Sequence, residues 1–595
     1  MFFSAYLGEQ ENLADWQEVV QQHASWLELN VHFKDSALAD GRIVAFSWLY
    51  LKEFNPQALF LEMKDLFVIS TTPSSLSPEL GPTAEDLWGQ LTKELCSNTI
   101  RLGISRCTGE LRVVVPPTTP EQFYITYDKR GYVLGNDMRL LTRWAGLILD
   151  ERAIYALLQY GAIPAPFTIS QNLQRIPNGH ILKLTPQSTK LAFEPFFWPG
   201  QALSAGDDPL DAAAQVAGTL DQILSSTPDS SVLYFSGGVD SSLMAARFAE
   251  MGRTDVILFN YAFGPEDPEG QLALEMAGHL DLKCKQVMYQ PVTIFQVLEN
   301  LGRDYSFPFC DSSVLPTRLL VQASLPYAER SLTVIEGTAA DGAFGRWTPN
   351  GYWFSAPAPV RWLTAESYRI LRSWQWPGSK LERWGRLARR SVNMSPAHAA
   401  VMARNSFDHI AYNMPGSIRQ TLEEVINTWI ETLSSALAPE GRLSYLDVVH
   451  ICAGIFAAKS FDPLRKAQIK AVYPFLEPPM IRLSYSLAYD QKCAPGDSKT
   501  LLKTMLAQYV PEKLVYRPKS GFIPPFSEIL NQPEIQEFVR DVVLAPENPV
   551  IHFCRLKTVK QMFERAEQGQ PVNIDVHKFL WSLIFTSAWL RQQVY

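Results

Sequence analysis

The stretch Ser231 to Glu250, SVLYFSGGVDSSLMAARFAE, constrains this chain more than any other. Val232, Leu233, Tyr234 and Phe235 make a short apolar, β-favouring run, and helical periodicity begins after Ser241. Between them, Ser236-Gly237-Gly238-Val239-Asp240-Ser241-Ser242 reads as a tight turn opening onto a helix N-terminus. Glycines let backbone N–H groups approach an anion closely, and serine hydroxyls can donate to it. Ser236, Gly237, Gly238, Asp240, Ser241 and Ser242 are therefore the candidate phosphate-binding residues. Asp240 can face a phosphate only across a cation, which points to magnesium. The G-x-x-x-x-G-K-[ST] spacing of kinases and GTPases is absent.

The complete string resembles the pyrophosphate loop of the ATP-cleaving, adenylate-forming ligases of the asparagine synthetase and β-lactam synthetase superfamily. The resemblance implies that a carboxylate attacks the α-phosphate of ATP, pyrophosphate leaves, and an amine captures the acyl-adenylate. ATP and Mg2+ are the cofactors it implies. The implied architecture is α/β plus α+β. Residues 1–205 would form a degenerate glutaminase-like sheet domain, and residues 206–595 a synthetase domain of the PP-loop ATP pyrophosphatase type, with a doubly wound parallel sheet.

The sequence patterns agree with that division. Leu111-Arg112-Val113-Val114-Val115, Phe123 to Tyr127 and Tyr132-Val133-Leu134 read as strands separated by turns, as in an α+β sheet domain. Ile148 to Tyr160 fits a helix, and Trp198 to Pro209 is the best linker candidate. Beyond it, strand candidates at 232–235, 255–260, 286–289 and 331–337 alternate with helix candidates at 268–280 and 291–302, the pattern of a doubly wound parallel sheet. Leu258, Phe259 and Met288 are candidates for an adenine wall, and equally for core.

Asp341, in Thr338-Ala339-Ala340-Asp341-Gly342-Ala343-Phe344-Gly345, supplies the second carboxylate that a magnesium–phosphate site needs. The resemblance gives it that role together with Asp240. Asparagine-forming relatives carry glutamate where this chain has Thr338 and another acid where it has Gly342; lactam-forming relatives can carry tyrosine at the first of these positions. Asp311, Ser312 and Ser313 in SFPFCDSSVL precede a helix and suit either substrate binding or capping, while Cys310 reads as a packing residue. Lys499-Thr500-Leu501-Leu502-Lys503 precedes PEKLVYRPKSGF, where the resemblance assigns Lys519 to developing phosphate charge.

Several functions are disfavoured. A formal net charge of -8 and the lack of a sustained basic, aromatic-interleaved patch argue against nucleic acid as a partner. No secretory h-region and no uninterrupted membrane span is evident, so a cytoplasmic location is expected. The seven cysteines are dispersed, without a zinc spacing. An active glutaminase of this type needs an N-terminal cysteine, whereas Met1 is followed by Phe2, Phe3 and Ser4. The leading expectation is therefore amide formation with an amine already present in the substrate. The fit within the superfamily is to lasso-peptide macrolactam synthetases, with a precursor peptide and its leader-processing protein as partners. The alternative is a β-lactam or carbapenam-type synthetase, or another amide ligase acting on a small substrate.

Overall fold

The structure is a computed structural model. It describes residues 1–50, 60–62, 66–70, 98–186, 188, 190–196, 209–289, 292–330, 332–345, 357–371, 414–432, 437, 439–494, 497–517, 526–570 and 574–593. Lys519, most of the expected 198–209 linker and the boundary drawn at 205/206 lie outside the described residues.

The N-terminal part is built from two antiparallel sheets. In the first, β1 (Phe2–Gly8) is flanked by β3 (Ile43–Tyr50) and β9 (Gly131–Gly135); β2 (Asn30–Ala37), β8 (Tyr124–Asp128) and β10 (Leu173–Arg175) complete it in the order β10-β8-β9-β1-β3-β2. The second runs β12-β11-β7-β6-β5-β4, from β4 (Phe60–Glu62), β5 (Leu66–Ser70), β6 (Arg101–Ser105), β7 (Leu111–Val115), β11 (His180–Leu184) and β12 (Ala192–Pro195). Strand β1 is buried on both faces, so it reads as a nearly continuous apolar run. Phe3, Ala5 and Leu7 pack with Phe46, Trp48, Leu102 and Val113 between the sheets, whereas Phe2 and Tyr6 pack on the opposite side with Trp16 and Val20 of helix Leu13–Leu27. The period of two in β1 thus serves two cores at once.

The C-terminal part holds a five-stranded parallel sheet in the order β15-β14-β13-β16-β17, from β13 (Ser231–Tyr234), β14 (Ile257–Ala262), β15 (Cys284–Met288), β16 (Thr333–Ile335) and β17 (Lys470–Val472). The expected strands are present within a few residues of their predicted bounds. The fifth, β17, was not expected from the sequence: its three residues are too short to show a period. From β13 the chain adds β14 and β15 on one side, then crosses to add β16 and β17 on the other. The gap between β13 and β16 is therefore the topological switch point, where the carboxyl ends of neighbouring strands diverge and leave a crevice.

Among the described residues, the helical stretch Gly441–Lys466 is long and apolar enough to cross a membrane by length and composition; 83% of its most apolar window is buried inside the protein. Val448, Val449, Ala453, Ala457 and Ala458 belong to the main core, so the stretch packs as a core helix.

Candidate active site at the switch point

Strand β13 ends at Tyr234, and the chain turns through Ser236-Gly237-Gly238 into helix Val239–Glu250. Gly237 has φ +69°, and a Cβ there would lie 2.9 Å from the Ala273 Cα, so both conformation and space require glycine. Ser236 is exposed on the open side of the loop and its Oγ accepts from the Gly238 N–H at 3.2 Å. The first turn of the helix has N–H groups without intrahelical acceptors, the usual seat for an anion.

Two of the candidate phosphate-binding serines turn their side chains inward. The Ser241 hydroxyl is buried: it accepts from the Ser236 N–H at 3.2 Å and donates to the Gly238 carbonyl at 3.3 Å, bracing the loop from within. The Ser242 side chain is fully enclosed and its Oγ has no hydrogen-bond partner among the described residues. Both point inward because they fall on the core face of the helix, beside Leu243 and Met244. Of the two roles open for Leu258 and Phe259, adenine wall or core, the structure places both side chains in the core. Each has zero exposure, on opposite faces of the sheet, and they pair with Leu233 and Tyr234 before the strands reach the crevice. Met288 differs: it ends β15 and is exposed.

Across the switch point, Ile335 of β16 pairs with Leu233, which brings the following turn against the phosphate loop. A Cβ on Gly337 would lie 3.3 Å from the Asp240 Cβ, closer than most such contacts. The turn leads into the short helix Ala340–Phe344 through Ala339, held at φ +82°. Asp341 sits in the first turn of that helix. Between the two aspartates lies Lys499: its Nζ is 2.7 Å from both Asp240 carboxylate oxygens and 2.6 Å from Asp341 Oδ1.

No local pattern in the sequence marks Lys499 as functional. Its backbone is also in the left-handed region, φ +57°, at the start of helix Thr500–Leu506. Two of the non-glycine positions with positive φ thus flank this one cluster, a concentration of backbone strain of the kind found at functional sites. Burial works against the Lys499 charge, but Asp240 and Asp341 outweigh it and raise the pKa well above the ordinary lysine value. The lysine side chain is 8% exposed, that of Asp240 19% and that of Asp341 53%, so the cluster opens to solvent on the Asp341 side.

Arg517 closes the loop from another direction. It forms a bidentate ion pair with Glu269, at 2.9 and 3.1 Å, and donates to the Gly237 carbonyl at 3.3 Å. Glu269 stands in the first turn of helix Pro268–His279, where a carboxylate is favoured. Neither Glu269 nor this use of Arg517 was foreseen, because their partners lie far away in the chain.

The unusual residues of the second motif have physical counterparts. The Thr338 hydroxyl donates to Glu336 at 2.7 Å, and Glu336 also accepts from the Ser460 hydroxyl, which is 2.9 Å from the Tyr473 hydroxyl. A Cβ on Gly342 would lie 2.6 Å from Val448 Cγ2 and 3.1 Å from Asp447 Oδ2, so the helix beneath fills the space a larger residue would need. Asp311 accepts from the N–H and hydroxyl of Ser313 at 3.0 and 2.7 Å, and Lys459 lies 3.9 Å away, a scaffold arrangement. The Cys310 thiol is buried against Ser582 and Thr586, and burial pushes its pKa up to about 11. Among the described residues no three or more His, Cys, Asp or Glu side chains form a closed metal cage. Two carboxylates beside this glycine-rich turn nevertheless fit magnesium, which takes one or two carboxylates and completes its shell with phosphates and water.

Comparison with known proteins agrees with this architecture. The chain is 20% identical over 504 residues to a putative glutamine-hydrolyzing asparagine synthetase of Mycobacterium bovis, covering 81% of this chain and 74% of the relative. It is 21% identical over 481 residues to glutamine-hydrolyzing asparagine synthetase 1 of Bacillus subtilis, covering 78% and 73%. Among solved structures, glutamine phosphoribosylpyrophosphate amidotransferase from B. subtilis matches at 10% identity, over 56% of this chain and 81% of that one, with a TM-score of 0.23, too slight to bear on function. The sequence pattern of asparagine synthase matches residues 226–591, more than half of the chain and all of the parallel-sheet part. The chain belongs to the asparagine synthase family, and it is an enzyme of that ATP-dependent, amide-forming type.

Proposed function

We propose that the protein joins a small carboxylate substrate to an amine through an acyl-adenylate, without drawing ammonia from glutamine. In the first half-reaction a substrate carboxylate oxygen attacks the α-phosphorus of ATP, and the bond to the β-phosphate bridging oxygen breaks to release pyrophosphate. In the second, the amine nitrogen attacks the activated carbonyl, AMP leaves and the nitrogen loses a proton. The observation that carries this reading is the Asp240–Lys499–Asp341 cluster at the switch point. The two carboxylates would hold Mg2+, which when bound neutralises phosphate charge. Lys499, between the two carboxylates, would donate to the leaving pyrophosphate, a task suited to a flexible ammonium. The Lys519 expected from the family resemblance would add a second cation.

Two features support an amine other than glutamine-derived ammonia. No cysteine precedes Cys96 in the sequence, and in β1 the Ser4 hydroxyl is buried, 2.6 Å from that of Ser47. The expected acid position is occupied by Thr338, already bonded to Glu336. These same departures favour a second reading, in which the carboxylate and the amine belong to one precursor peptide and the product is a macrolactam. A leader-processing protein would then act beside this enzyme in the cytoplasm.

The test is ATP- and Mg2+-dependent formation of AMP and pyrophosphate across a panel of amino-acid-derived carboxylates with amines, run beside peptides having a free N-terminus and an internal Asp or Glu. AMP with an amide product from small substrates is the expected result. Loss of one water from a peptide alone would replace it with the macrolactam reading, and amide formation with ADP instead of AMP would overturn the adenylate.

A further inference from the structure

Lys492 is 5% exposed, yet no carboxylate pairs with it among the described residues. Its Nζ donates to the carbonyls of Ala343 at 3.2 Å and Ser484 at 2.7 Å, and lies 5.2 Å from the centroid of the Tyr485 ring. Burial pushes its pKa down to about 8. A buried ammonium without a counter-ion is costly, so the fold must recover something from it.

What it recovers is visible at the helix that carries Asp341. A five-residue helix is too short to be stable alone, and its last carbonyls have no intrahelical partners. Here each of three successive carbonyls is taken by a side chain from elsewhere. Gly342 accepts from the Ser444 hydroxyl at 2.6 Å, Ala343 from Lys492, and Phe344 from the Cys493 thiol at 3.1 Å. A cation at this end also meets the negative pole of the helix. The helix is entered through the strained Ala339, and the Asp341 side chain is more than half exposed. Its carboxylate is met on the crevice side by Lys499, 2.6 Å away.

We propose that Lys492, assisted by Ser444 and Cys493, is a positioning residue that aims Asp341 at the magnesium–nucleotide complex by fixing the carbonyl end of its helix. This rests on the reading of Asp341 as a magnesium ligand. Lys492 and Lys499 then divide the work along one segment: the first holds the backbone of the Asp341 helix, the second its carboxylate.

The experiment is calorimetric binding of ATP, with and without Mg2+, to the full chain and to the variants K492M, S444A, D341N and K492M/D341N. Binding requires no turnover, so it remains informative even if no amide product is found. The expected result is that K492M loses about tenfold of the affinity gained on adding Mg2+, as is usual for partners that orient a metal ligand. ATP affinity without Mg2+ should stay within about twofold of the parent, because the phosphate loop is untouched. The double variant should bind like D341N alone, since Lys492 acts through Asp341. Should K492M fail to fold, S444A removes one cap, together with the 2.9 Å contact to the Tyr485 hydroxyl, while keeping Lys492 itself, and should lose part of the same gain, again not additively with D341N. Additive losses, or a Mg2+-dependent gain that survives in D341N or in both K492M and S444A, would overturn the proposal. Normal magnesium-dependent binding in a parent enzyme that releases no pyrophosphate would count instead against the ligase reading.

Discussion

The Lys499 ammonium grips Asp240 by both carboxylate oxygens, at 2.7 Å each, although 259 positions separate the two residues. With Asp341 on its other side, one cation holds two carboxylates that would otherwise repel across the crevice.

Lys499→Met should lower pyrophosphate release by about 10²- to 10³-fold, the scale seen when one donor to developing charge is removed. Lys499→Arg should not restore it, because a planar guanidinium does not reproduce a point-charge donor. Single-turnover pyrophosphate release measures both. The raised pKa also gives a pH expectation for stability. The contribution of Lys499 is full below the ordinary lysine value and is lost only as pH rises through the folded value, so urea midpoints should show no lysine-linked loss between pH 6 and 9 from this group.

Gly237→Ala places a Cβ 2.9 Å from Ala273 Cα on a residue at φ +69°. The left-handed conformation alone costs about 1–2 kcal/mol for a residue with a Cβ. The loop should shift and ATP affinity fall by at least tenfold; unchanged affinity in equilibrium binding would show that this turn does not hold the phosphates.

Glu269→Gln should loosen Arg517 from its bidentate pairing while leaving the core alone, since both side chains are partly exposed. The expected outcome is a rise of about threefold to tenfold in KM for ATP and a change in thermal midpoint of less than about 2 °C, consistent with the small energies of such pairs. Steady-state kinetics with ATP varied, paired with a melting curve, separates the two effects.

Burial pushes the Glu477 carboxyl up to about 7, against the opposing charge of Lys470. Folding therefore favours its protonated form: stability from this group is full below its ordinary value of 4.5 and is lost as pH rises toward 7. Glu477→Gln should be neutral at pH 4.5 and stabilising by about 1–2 kcal/mol at pH 8, on the scale of 1.36 kcal/mol per pKa unit and allowing for partial exposure. Urea unfolding at the two pH values tests the difference.

Much of the architecture was legible because it rests on local patterns. The runs at 111–115, 232–235 and 255–260 showed as strands since apolar, β-branched or aromatic residues follow one another there, and the helices expected at 268–280 and after Ser241 kept their period. Strand β17 and the inward turn of Ser241 and Ser242 were not legible: three residues cannot display a period, and a hydroxyl beside a phosphate turn has the same sequence whether it faces the crevice or the core. Leu258 and Phe259 stayed open between core and adenine wall for a related reason, because an apolar residue a few positions short of the strand's carboxyl end is indistinguishable in sequence from one at it.

What the sequence determined by itself was the SGGVDSS turn and its setting between a strand and a helix, because glycine conformations and helix starts are dictated by neighbouring residues. Which lysine meets its aspartates was decided only by tertiary structure. The sheet order places β13 beside β16, so that the two aspartate-bearing turns face each other, and the packing of helix Thr500–Leu506 delivers Lys499 between them. Ion pairing is non-directional along the chain and depends on distance in space, which no local pattern encodes.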